Sequence, residues 1–153
     1  MFGGVSLSVS ELPAELVDDL RPRLYERGGE PEVRFLLPDR ERVLPIWFDG
    51  QLQIIRWGNR RGESPSLPLT AWTRAETLES GGWGDRCPVP VVIATTMALD
   101  GGIWYRIREG VRGIVVRDEE DQPVVYPLVE PATHYYEVMT RSQWMPVMVG
   151  LRI

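Results

Sequence analysis

Val43-Leu44-Pro45-Ile46-Trp47-Phe48-Asp49-Gly50-Gln51-Leu52-Gln53-Ile54-Ile55-Arg56-Trp57 is the stretch on which the fold turns. Two runs rich in β-branched and aromatic residues flank Asp49-Gly50, a pair that tolerates positive φ at both positions and suits a type I′ turn. The spacing therefore predicts a hairpin, with strands over Val43–Phe48 and Gln51–Trp57. Outward from it, Val33–Leu37, Val89–Thr95, Ile103–Ile107, Val111–Arg117, Val124–Val129 and Met145–Val149 carry the same strand chemistry. The acidic tip Asp118-Glu119-Glu120-Asp121 reads as a solvated turn between two of them. Asn59–Pro68, rich in Arg, Gly, Ser and Pro, reads as a loop. Leu12, Leu16, Leu20 and Leu24 recur every fourth position after Ser10 and predict a helix, which Pro22 should kink and Gly28-Gly29 should end. Pro131 is expected to open a second helix running to about Arg141. Many short strands with one or two short helices make an α+β domain, mainly antiparallel β.

The length of 153 residues fits one domain, residues 1–153, and 43% hydrophobic residues can fill its core. No run of about 18 apolar residues could span a bilayer. The start, Met1-Phe2-Gly3-Gly4-Val5-Ser6, has neither a basic nor an apolar leader segment, so the expected setting is cytoplasmic. The single cysteine, Cys87, excludes an internal disulfide framework and a Cys-based zinc cluster, and His134 is the one histidine. No metal and no organic cofactor is expected. The net charge of −5 argues against a general nucleic-acid coat, although a local patch can override the sum. All 17 positive residues are Arg. Without a lysine there is no side-chain amine for Schiff-base catalysis, whereas guanidinium forks remain suited to phosphate.

Four short strings then fall in a telling order: Arg56-Trp57-Gly58, Arg74-Ala75-Glu76-Thr77, Arg86-Cys87-Pro88-Val89-Pro90 and Met145-Pro146-Val147. Together they resemble the SOS response-associated peptidase (SRAP) family, whose domain captures abasic sites in single-stranded DNA. The resemblance covers roughly residues 1–6 and 52–149. It implies a mainly antiparallel, barrel-like sheet with one or two short helices. In that family, removal of the first Met exposes a cysteine whose α-amine and thiol trap the abasic aldehyde.

The departures from the family pattern fall on that chemistry. Residue 2 is Phe2, which carries no nucleophile and whose bulk disfavours removal of Met1. Gly4 stands where the family has an Arg. Trp72 stands for an Asn, Thr96 lies roughly where an acidic residue would, and Ser142 stands for a His. The resemblance thus implies a scaffold without the catalytic set. Its binding half persists, because Arg56, Trp57 and Arg74 match positions that hold the DNA strand. Indole faces stack on unpaired bases and guanidinium groups bind phosphates. Trp47, Trp72, Trp83, Trp104 and Trp144 could extend such a surface, with Arg60-Arg61 beside it, although tryptophans in a small β domain also serve as core.

Other chemistry finds less support. Cys87, beside an apolar strand, reads as a small buried hydrophobe. His134 has no motif partner and reads as a surface or packing residue. On one helix it would stand about 12 Å from Ser142, too far for a dyad. Gly81-Gly82-Trp83-Gly84 and Gly101-Gly102 read as turns rather than phosphate loops. Two functions are therefore expected in competition: a catalytically degenerate domain that binds single-stranded DNA, or a protein-interaction module that kept the fold alone.

Overall fold

The computed structural model describes residues 1–150. The hairpin predicted at its centre forms with the predicted bounds: β4 is Val43–Phe48, β5 is Gln51–Trp57, and Trp47 pairs Leu52 across the turn. Asp49 and Gly50 both adopt positive φ, at 53° and 74°. Around the hairpin lie β7 (Val89–Ile93), β10 (Val111–Arg117) and β11 (Pro123–Pro131). Neighbouring strands pair in the ring β10-β7-β4-β5-β11, and β10 pairs β11 to close it. A five-stranded barrel results. All its pairings are antiparallel except β5 with β11, which is parallel at Arg56–Val124 and Trp57–Val125. The chain is thus α+β and mainly antiparallel, with a barrel-like sheet.

Strand β11 is nine residues long and outlasts the barrel. Its last residues pair β6 (Thr73–Arg74) in parallel and β12 (Trp144–Pro146) in antiparallel. A second sheet has the order β2-β3-β1-β8-β9, from Leu24–Arg27, Glu30–Leu36, Phe2–Ser8, Met97–Asp100 and Ile103–Arg106. Phe2, Val5, Leu7 and Phe35 from that sheet share one buried cluster with Leu44, Ile46, Trp57, Ile93, Val115 and Val125 from the barrel. Val115 and Val125 face this cluster. Their neighbours Ile114, Val116, Val124 and Tyr126 pack instead with Leu67 and Trp83, as the pleat alternation requires.

The helices are shorter than expected. The leucine-spaced segment breaks into a 3-10 turn at Val9–Glu11, the four-residue α1 (Ala14–Val17) and another 3-10 turn at Arg21–Arg23. Leu24 opens β2 rather than closing a helix, because pairing with Val33 satisfies its backbone. A short α2 (Ala75–Glu79) follows β6. The last helix, α3 (His134–Thr140), starts after Thr133, whose hydroxyl accepts from the Tyr136 amide at 3.2 Å. Pro131, expected to open that helix, ends β11 instead.

Candidate functional site

Strands β1 and β8 pair with a register irregularity that sets Phe2 opposite Asp100. Asp100 ends β8 with its side chain fully buried. It is ringed by donors. The Met1 ammonium lies 2.9 Å from its Oδ1, the Ser142 hydroxyl donates to the same oxygen, and the Tyr136 hydroxyl donates to Oδ2 at 2.6 Å. Met1 also donates to the Ser142 oxygen at 2.7 Å. Tyr105 completes the chain through a 2.8 Å bond to the Tyr136 hydroxyl, with the two rings edge to face. Burial pushes the Tyr136 and Tyr105 phenols well above their usual range, so both stay protonated. Gly101, with φ of 57°, carries the β8–β9 turn against the Thr140 carbonyl, where a Cβ would collide. That close approach keeps Asp100 beside the end of α3.

The start of β1 has a second anchor at Phe2. Trp72 donates its indole N–H to the Phe2 carbonyl at 2.9 Å. The Phe2 side chain points inward, fully buried, with its ring 5.8 Å from that of Trp57. Phe2, Trp72 and Ser142, far apart in sequence, therefore meet at the start of β1. Thr96 does not join them. Its hydroxyl sits at the other end of β1, accepting from the Ser8 amide at 3.3 Å and lying 3.5 Å from Glu11. The acidic group beside the chain start is Asp100, four residues further on. Next to Gly101-Gly102 it reads as a turn residue, and no spacing in the sequence marks it as buried.

The expected DNA contacts separate. Trp57 is fully buried, with its indole N–H donating to the Ala71 carbonyl at 2.8 Å and its own carbonyl accepting from Arg42 Nε at 2.9 Å. Its faces meet the core, which corrects the expectation of a stacking residue. The reason is its place in the barrel: β5 ends here, and the pleat turns Trp57 toward Phe2. Arg56, half-buried, donates to the Ser64 hydroxyl at 2.5 Å and lies 3.5 Å from Asp118 Oδ2. It thus ties the 59–68 loop to the acidic tip. Asn59 holds that same loop, donating to the Ser64 and Leu67 carbonyls and accepting from the Ser64 amide. Arg74 alone of the three is exposed, and its guanidinium lies over the Trp144 ring at 4.3 Å from the centroid.

Cys87 also departs from expectation. It is exposed, with φ of 51° after the 3-10 turn Gly84–Arg86, and its thiol lies 3.4 Å from the Asp85 carbonyl. It lies at the turn exit, two residues before β7 begins at Val89, and so does not share the pleat that buries Val91 and Ile93. His134 is exposed on the first turn of α3. Among the described residues no helix is long and apolar enough to cross a membrane.

No protein-family model, no curated protein and no solved structure matches this chain.

Proposed function

We propose that this chain is a binding domain on an SRAP-like scaffold, without the covalent chemistry, that holds single-stranded DNA. The convergence of Phe2, Trp72 and Ser142 on the chain start carries the reading. These are three of the four positions at which the resemblance aligns this chain with reactive groups of the family. Here they build a closed structural junction: position 2 fills core, and the Met1 amine is engaged by Asp100 and Ser142. The contact surface for DNA is the adjoining face where Arg74 covers Trp144. Among the described residues Arg74 has no carboxylate ion-pair partner, so its charge is available to phosphate, and moving it aside uncovers an indole for a base. Arg56 and Trp57 act from inside, fixing the loop and the strand end. One exposed, unpaired thiol suits the reducing cytosol, which is the setting we assign.

Fluorescence anisotropy with labelled oligonucleotides tests this at low salt, since the net charge of −5 weakens any phosphate contact. Single strands should bind in preference to duplex. Arg74→Ala should weaken binding and reduce the salt slope by about one phosphate contact. Trp144→Ala should cost about 1–3 kcal/mol, the usual worth of one base stack. An abasic oligonucleotide should give no band that survives denaturing electrophoresis. Absence of binding at low salt would favour the protein-interaction reading. That alternative draws on α3, where Tyr135 and Val138 stand 62% and 67% exposed three residues apart on one helical face.

A further inference from the structure

At the Ser8 end of β1, remote along the strand from Met1, the two sheets part around a cleft of about 820 Å³. That volume lies in the range of small-ligand sites. Trp47 forms one wall. It is 51% exposed, although the three residues before it in β4 are buried, and its cross-strand partner Leu52 lines the cleft beside it. Arg106, the last residue of β9, and Arg108 just beyond it also line the cleft. Among the described residues neither guanidinium has an ion-pair or hydrogen-bond partner, unlike the guanidinium groups of Arg23, Arg27, Arg34 and Arg56. Glu11 and Glu109 complete the rim.

We propose that this cleft binds a mononucleotide-like ligand, with one phosphate on Arg106 and Arg108 and a planar base against Trp47. Unpaired guanidinium forks match a phosphate's oxygens, and an exposed indole offers the flat apolar face a base requires. The two carboxylates decide the class further. They accept from ribose hydroxyls or a base amino group. Two guanidinium groups match one phosphate, whereas each further phosphate would meet no other cation in the lining and would lie with Glu11 and Glu109, so a single phosphate is favoured.

Titration of the full chain with adenosine 5′-monophosphate tests the proposal, followed by NMR of the six tryptophan indole N–H signals. The Trp47 signal is identified by its loss in Trp47→Phe. It should shift saturably at millimolar ligand or below. Arg106→Gln and Arg108→Gln should each weaken binding by about tenfold or more, as expected for a lost charge-assisted bond. Inorganic phosphate alone and adenosine alone should each bind at least about tenfold more weakly than the nucleotide, and the triphosphate no more tightly than the monophosphate. The proposal is overturned if the Trp47 signal does not move or if its shift is unchanged in both arginine variants. It is equally overturned if phosphate alone matches the nucleotide, or if the triphosphate binds more tightly.

Discussion

Asp100 shows how much one residue can organise. Its buried carboxylate receives the Met1 ammonium and the hydroxyls of Ser142 and Tyr136, joining the start of β1, the end of β8 and both ends of the α3 region. Asp100→Asn removes the charge and turns one acceptor into a donor that faces other donors. It should destabilise by about 3–5 kcal/mol, the range for breaking a buried pair, and urea denaturation measures it. Ser142→Ala removes one bond and should cost less, about 1–3 kcal/mol for the donor left behind. Cys87 supplies a second test at this scale. Because it is exposed, a thiol reagent should label it as fast in the native state as in urea. Strong native protection would place the side chain under cover that the structure does not give it.

At the scale of elements, the Arg-Trp-Gly string is a device for ending β5. Trp57 anchors inward on Ala71, and Gly58 then turns the chain at φ of 62° directly over Thr70 and Ala71. A Cβ at Gly58 would stand 2.6 Å from the Thr70 carbonyl oxygen and 2.8 Å from the Ala71 Cα, both backbone atoms that cannot step aside. Gly58→Ala should therefore cost about 2–5 kcal/mol, combining left-handed strain with overpacking. Gly62, also left-handed but with open space around it, is the control: alanine there should cost only about 1–2 kcal/mol. Thermal or urea unfolding of the two variants distinguishes them, and equal losses would argue against the close crossing.

At the scale of the whole molecule, Glu32 and Asp118 tie stability to acid. Burial would raise Glu32, but hydrogen bonds and charge from Arg27 and Arg34 outweigh it and hold Glu32 below its ordinary value of 4.5. Asp118, where desolvation is again opposed, is held below 3.8 by amide bonds from Gln122 and Glu120, the Arg56 charge and Ser64. A depressed carboxyl stabilises the fold above its unfolded value and loses that contribution as pH falls through the lower folded one. Stability should therefore drop from about pH 4.5 downward. Glu32→Gln and Asp118→Asn should each be less stable at neutral pH and show a shallower acid loss, measured as urea midpoints against pH. Parallel curves for parent and variants would remove both groups from the acid response.

Local chemistry was enough to read the hairpin at Asp49-Gly50, the strands β4, β5 and β10 to the residue, and the α+β class. Side-chain branching, turn dipeptides and alternation act over a few neighbours, and those signals survive in any context. The leucine spacing after Ser10 misled because helical periodicity is also met by a chain that turns every few residues, with β3 close enough to claim Leu24. Phe2–Ser8 was not legible as a strand, since Gly3-Gly4 and two serines give it little β character, yet it is the centre of the second sheet. The position of Asp100, the inward turn of Trp57, the exposure of Cys87 and the cleft at Trp47 were settled only by tertiary structure. Each depends on which strand lies opposite and which face of it is covered. That is a relation between residues tens of positions apart, and no local pattern carries it.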